Sequence, residues 1–183
     1  MIIRNLNLWF VVVLIGLPAT VFGEEPRNLA PDAVITASGC LNDSYAPRFT
    51  ADGIVPEPNC KADVNAAWCL PQAQAQGATL KYEWHEPVTI SEIVYYGRTG
   101  WLWNENFLAV QVYAEESTRS VFSTPLQPGH GPQRITLKQP ISAKTLTLRF
   151  PKADGGPNPG ASEIRIYNVS PPQELLGKFL KDA

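Results

Sequence analysis

Positive charge is scarce in this 183-residue chain: 15 Lys and Arg face 17 Asp and Glu, for a net charge of −2. Without a positive excess or a local Lys/Arg cluster, the chain lacks the phosphate-neutralising attraction that dominates nucleic-acid binding. It lacks the polybasic attraction to anionic lipid for the same reason. Histidine is rarer still, with only His85 and His130. Neither stands at a ligand-like spacing from a cysteine, so zinc fits poorly. Phosphate-cradling glycine loops, dinucleotide fingerprints and the strained Gly-x-Ser-x-Gly turn are all missing. No two carboxylates stand out as a catalytic pair, and these absences together point away from an enzyme. Long hydrophobic runs are absent too. The apolar run from Leu8 to Leu17 is well short of the ~20 residues that a bilayer span needs.

That run follows Arg4 and precedes Val21-Phe22-Gly23, which is the layout of an export signal over residues 1–23, cut ahead of Glu24. A retained anchor is the weaker reading, and no cysteine follows the run closely enough for a lipoprotein. The expected localisation is therefore secreted, periplasmic or extracellular, with no membrane insertion after cleavage. Removing Arg4 leaves 14 Lys and Arg against 17 Asp and Glu, a net charge of about −3. The remaining ~160 residues suffice for one domain with a real core.

Three cysteines, Cys40, Cys60 and Cys69, lie in the exported part, where a disulfide can form and persist. One bridge with one thiol left over is expected, and all three pairings remain open. Asn42-Asp43-Ser44 and Asn168-Val169-Ser170 match the glycosylation sequon, which matters only in a eukaryotic secretory pathway.

What the chain does have is alternation. Leu80, Tyr82 and Trp84 share one face of a short segment and Lys81, Glu83 and His85 the other, the period-two pattern of a half-buried strand. The same holds for Leu108, Val110, Val112 and Ala114, and for Leu146, Leu148 and Phe150. Ala33 to Ser38, Ile90 to Tyr96, Arg119 to Ser123, Arg134 to Leu137 and Glu163 to Tyr167 complete about eight strands. Between them lie Asp52-Gly53, Pro56 to Asn59, Pro128-Gly129 and Asp154 to Gly160, all rich in turn residues. The 17 prolines oppose helices. The pattern predicts an all-β fold, an eight-stranded antiparallel jelly-roll sandwich over residues 26–168. Residues 169–183 follow as a tail or linker, with Glu174 to Lys181 as one or two helical turns or a stub. Trp68 and Trp84 belong to the core. Tyr95 and Tyr96 point to opposite faces.

Asn28-Leu29-Ala30, Thr36-Ala37-Ser38, Ala51-Asp52-Gly53, Trp68, Ile90-Ser91-Glu92-Ile93, Arg98 and Ser162-Glu163-Ile164, in that order, resemble the discoidin, or coagulation factor five/eight type C, superfamily. Family 32 carbohydrate-binding modules belong to it. The resemblance covers Pro26 to Tyr167. It implies a galactose-binding-like jelly roll with its ligand site on loops at one end, and a structural calcium ion for which Asp52 and Glu163 match the carboxylate positions. The chain departs from the pattern in the insert Val55 to Ala67, in its cysteine positions and in lacking Ser-x-Asp-Gly after Val112.

The stretch Arg98 to Phe107 carries the most chemistry. A sugar presents an apolar C–H face ringed by hydroxyls, so its site needs an aromatic platform beside groups that donate and accept hydrogen bonds. Trp101 and Trp103, one residue apart, would face the same way on an extended chain, with Arg98, Asn104 and Asn106 beside them. Tyr45 and Asn158, from neighbouring loops, are candidate contacts. His130 reads as a turn residue. Two functions follow: a secreted, non-catalytic module that binds a glycan or polysaccharide, or an adhesion or assembly module whose aromatics meet a protein partner.

Overall fold

The computed structural model describes residues 24–181; the export signal expected over residues 1–23 lies outside them. Among the described residues, no helix is long and apolar enough to cross a membrane. The described residues form nine strands: β1 (Val34–Ala37), β2 (Trp68–Cys69), β3 (Ala78–Gly97), β4 (Phe107–Ala114), β5 (Phe122–Pro125), β6 (Gly129–His130), β7 (Pro132–Ala153), β8 (Gly160–Tyr167) and β9 (Leu180–Lys181). A single helical turn, α1 (Gln72–Ala75), precedes β3.

The two long strands make the sandwich. β3 and β7 pair antiparallel from Ala78↔Phe150 to Tyr96↔Pro132, with register breaks between Glu83 and Val88 and between Ile90 and Glu92. One half of this ribbon carries β1 on one flank and β4, then β5, on the other. The other half carries β8, then β2. Alternation in the sequence predicts four short strands where the structure has these two. Pro87 and Pro140 explain the difference, since each sits at the break, where the chain stays extended but leaves the ladder and no N–H is required. The architecture is the antiparallel jelly-roll sandwich.

Leu80, Tyr82, Trp84, Val110, Val112, Leu146, Leu148 and Phe150 are all buried in one core, as their alternation requires. Phe107 and Phe150 stack with centroids 4.1 Å apart, and Trp68 lies 5.7 Å from Phe107. Such pairs add about 0.5–1.5 kcal/mol beyond their area burial. The buried indoles also have partners for their polar tips: Trp68 Nε1 donates to the Gly39 carbonyl at 2.9 Å and Trp84 Nε1 to that of Leu29 at 2.8 Å.

Tyr95 enters this core while Tyr96, on the opposite face, joins Val94, Tyr167 and Leu176 in a second cluster. That second cluster exists because the segment after Tyr167 folds back. In place of a helix or linker stub it forms one 3-10 turn over Gln173–Leu175, and β9 pairs with β6. The Tyr96 hydroxyl donates to the Leu176 carbonyl at 3.0 Å and Arg134 to that of Pro171 at 2.9 Å. Gly131, at φ 100°, admits the strap; a Cβ there would stand 2.2 Å from the Lys178 carbonyl oxygen. Of the two sequons, Asn42 is exposed. The Asn168 side chain is spent on the Arg27, Glu24 and Glu25 segment.

Candidate functional site

Four loops meet beside the second half of β3. The Arg98 to Asn106 loop is closed by an antiparallel bridge between Arg98 and Glu105. Its far side is tied to the Asp154 to Gly160 loop by backbone hydrogen bonds from Asp154 to Asn106, Gly156 to Asn104 and Gly160 to Glu105. Gly156 makes this approach possible, because a Cβ there would lie 2.3 Å from the Asn104 carbonyl oxygen. The third loop is the insert Val55 to Ala67, whose Asn59 and Lys61 amides donate to the Thr99 and Gly100 carbonyls. The fourth carries Leu41 and, on a 3-10 turn over Asp43–Tyr45, Tyr45.

The loops enclose an open depression of about 410 Å³ lined by Tyr45, Lys61, Arg98, Trp101, Glu105 and Asn158, with Leu41, Leu102 and Pro157 at its sides. Its floor is an ion cluster. Arg98, 3% exposed, donates from Nη1 to the Glu105 carboxylate and to the Asn158 carbonyl at 3.0 Å. Nη2 donates to Asp63 Oδ1 at 3.3 Å, and Nε lies 2.7 Å from Asp63 Oδ2 as an ion pair without hydrogen-bond alignment. The Tyr45 hydroxyl donates to Asp63 Oδ1 at 3.2 Å, and its ring centroid lies 5.0 Å from the guanidinium carbon. Burial pushes the Glu105 carboxyl upward, against the pull of Arg98 and of the Asn158 amide on its oxygen. Burial and the Asp63 charge likewise raise the Tyr45 phenol.

Arg98, Trp101, Tyr45 and Asn158 thus come together as the sequence suggests, whereas Trp103, Asn104 and Asn106 do not join them. The chain turns at Trp103 and Asn104, so the extended geometry that would align the two indoles is absent. Trp101 stands exposed at the mouth and Trp103 is half-buried outside the lining. Asn104 faces a separate depression with Gln127 and Asp154. Asn106 is buried and donates to the Trp103 carbonyl, bracing the loop from within. Sequence reasoning missed Asp63, Lys61 and the role of Glu105. A signal for Asp63 existed: Arg98 directly follows the buried run Val94 to Gly97, and an arginine carried into a core needs a carboxylate partner. His130 is half-buried in β6, its Nδ1 2.8 Å from the Thr99 hydroxyl. Burial lowers its pKa.

A larger groove of about 570 Å³ lies by the β4–β5 turn, lined by Arg119, Val121, Leu137 and Lys138 among others. It offers no aromatic platform and no buried polar floor.

Asp52 and Glu163 also meet. Glu163, buried in β8, accepts from the Gly53 amide at 3.3 Å and stands 3.4 Å from Arg165 Nε. Burial pushes its carboxyl to about 7, opposed by Arg165 and reinforced by Asp52. Among the described residues no cluster of three His, Cys, Asp or Glu side chains forms. A calcium ion here would draw on these two carboxylates, with loop carbonyls and water supplying the rest of its six to eight oxygens. Cys40, Cys60 and Cys69 are free thiols in this structure, part-buried, exposed and buried in that order. The Leu41 amide donates to the Cys69 carbonyl at 2.8 Å, which brings the Cys40 and Cys69 segments side by side.

The same sandwich occurs in solved proteins. The family 32 module of Clostridium perfringens NanJ superposes with a TM-score of 0.63 at 14% identity, covering 78% of this chain and 98% of its own. That of Streptococcus pneumoniae EndoD gives 0.62 at 14%, with 78% and 100% covered. An F5/8 type C domain from Bacteroides fragilis gives 0.60 at 15%, with 78% and 95% covered. At such identities the likeness is one of fold. No curated protein matches the chain by sequence. The family model of the F5/8 type C domain, however, matches residues 34–164, well over half of the chain. The chain therefore belongs to the F5/8 type C domain family, as a non-catalytic binding module.

Proposed function

We propose that this domain acts after export and binds carbohydrate in the depression between Tyr45, Arg98, Trp101 and Asn158. One observation carries the proposal: an exposed indole stands at the mouth of a concave site whose floor is buried, polar and held rigid by an ion cluster. The ring offers a surface for the C–H face of a sugar, while Arg98, Glu105 and Asn158 meet its hydroxyls. Solved relatives support the class. The NanJ module was determined in complex with galactose, another C. perfringens module with GalNAc-β-1,3-galactose, and a Paenibacillus relative is a chitosan-binding module. Calcium at Asp52 and Glu163 would brace the scaffold rather than touch the ligand.

A protein partner is the second reading. It is favoured by three apolar side chains at the mouth, Leu41, Trp101 and Leu102, which are 37%, 38% and 45% exposed. A glycan array with the exported protein in calcium, with Trp101→Ala as control, separates the two. Specific sugar signal that falls at least tenfold in the variant, about 1.4 kcal/mol, is the expected result. Silence from a folded protein on every glycan would refute the carbohydrate proposal in favour of a protein ligand.

A further inference from the structure

An arginine at the floor of a binding depression usually invites an anion, because its planar fork pairs with carboxylates. Here the fork is already spent. Nη1 serves Glu105 and the Asn158 carbonyl, Nη2 serves Asp63, and Nε lies against Asp63. Of five guanidinium hydrogens, three are hydrogen-bonded; the buried Nε hydrogen is held against Asp63 by charge alone, and one on Nη2 is left without a partner. Two carboxylates share one cation, so the buried floor carries a formal net charge of −1. Ions in solution do not screen a buried charge as they screen a surface one. The nearest cation on the lining, Lys61, is exposed and solvated at the rim. Glu105 lines the depression, and each of its oxygens has taken a single donor, from Asn158 on Oε1 and from Arg98 on Oε2. Lone pairs therefore remain for a hydroxyl or an ammonium.

We infer that the depression selects by charge, rejecting acidic sugars, accepting neutral ones and holding amino sugars with a protonated amine most tightly. This rests on the carbohydrate function proposed above. An incoming carboxylate would meet a like-charged floor with no bidentate donor to receive it. An ammonium would meet Glu105, whose remaining lone pairs suit it.

Calorimetric titration of the intact protein tests this with three ligand sets of matched length at one pH and low salt: neutral galactosides and N-acetylhexosamine oligomers, glucosamine oligomers, and uronic-acid or sialylated oligosaccharides. Acidic ligands should bind at least tenfold more weakly than neutral ones. Glucosamine oligomers should bind several-fold more tightly than their N-acetylated forms. Lys61→Glu, an exposed change that spares the fold, should widen both gaps. Acidic ligands binding as tightly as neutral ones would overturn the inference while leaving the carbohydrate function intact. So would gaps that Lys61→Glu leaves unmoved. Failure of every sugar to bind would remove the underlying function and the inference with it.

Discussion

Replacing Arg98 with methionine would remove the only cation from a cluster in which Asp63 and Glu105 side chains are 1% and 2% exposed. Methionine keeps much of the stem volume, so the change is chiefly one of charge. Breaking a buried ion pair by deleting one partner costs about 3–5 kcal/mol, because the partner left behind is an uncompensated charge. Here two carboxylates are left facing one another. The least costly relief at pH 7 is to protonate one of them, which for a group of ordinary pKa near 4 costs about 4 kcal/mol at 1.36 kcal/mol per pH unit. Two independent routes thus give the same figure. For a domain of this size the loss corresponds to a drop in Tm of roughly 10 °C.

The proton route also fixes the sign of a pH dependence. In the variant the folded state would bind a proton that the unfolded chain releases, so its stability must fall as pH rises from 5 to 7 relative to the parent protein. The deficit should shrink by up to about 2.7 kcal/mol on returning to pH 5. Urea unfolding of both proteins at pH 5 and 7, with the m-value as a check on the end states, measures this directly. A deficit below about 1 kcal/mol at pH 7, or one that ignores pH, would show that the cluster is not the buried, under-compensated ion group described above.

Three more outcomes are expected. Calcium should raise the Tm, by roughly 5–10 °C at a hundredfold excess over its Kd, and Glu163→Gln should abolish the rise; an equal rise in the variant would place any calcium elsewhere. His130, its pKa lowered by burial, binds fewer protons folded than unfolded, so its contribution is present above about pH 6.5 and lost as pH falls. His130→Gln should therefore flatten the urea midpoint between pH 5 and 7, and an unchanged slope would count against it. In native reduced protein Cys60 should alkylate first and Cys69 last, because burial pushes the Cys69 thiol to about 12; peptide mapping by mass would expose any other order.

Much of the scaffold is legible in the sequence because burial on one face of a strand imposes a period of two. Alternation alone assigns Tyr82 with Trp84, and Leu146 with Leu148, to the core. The same rule fails at Pro87 and Pro140, where chemistry that ends a ladder need not end a strand. It fails again at Trp101 and Trp103, because turns do not keep a strand's alternation. The site is legible only in part, since its floor is assembled across long separations. Asp63 reaches Arg98 over 35 residues, from an insert whose own pattern carries no periodic signal. Alternation allows Tyr95 and Tyr96 one dry face between them, and the strap makes both faces dry.

That insert is fastened in an unusual way. Asn59 and Lys61 lean on Thr99 and Gly100, Asn65 on Ser44, and Asp63 on Arg98 and Tyr45; none of these contacts belongs to a sheet ladder, and β2 begins only at Trp68. Three of its residues, Asn59, Lys61 and Asn65, also hold left-handed backbone conformations at φ 56°, 56° and 60°, a cost of roughly 1–2 kcal/mol for an ordinary L-residue such as lysine. The sandwich does not depend on this loop for its pairing, yet through Asp63 the loop helps set the charge at the floor of the proposed site. A lineage could therefore exchange it as a cassette, trading one recognition chemistry for another while the strands beneath stay untouched.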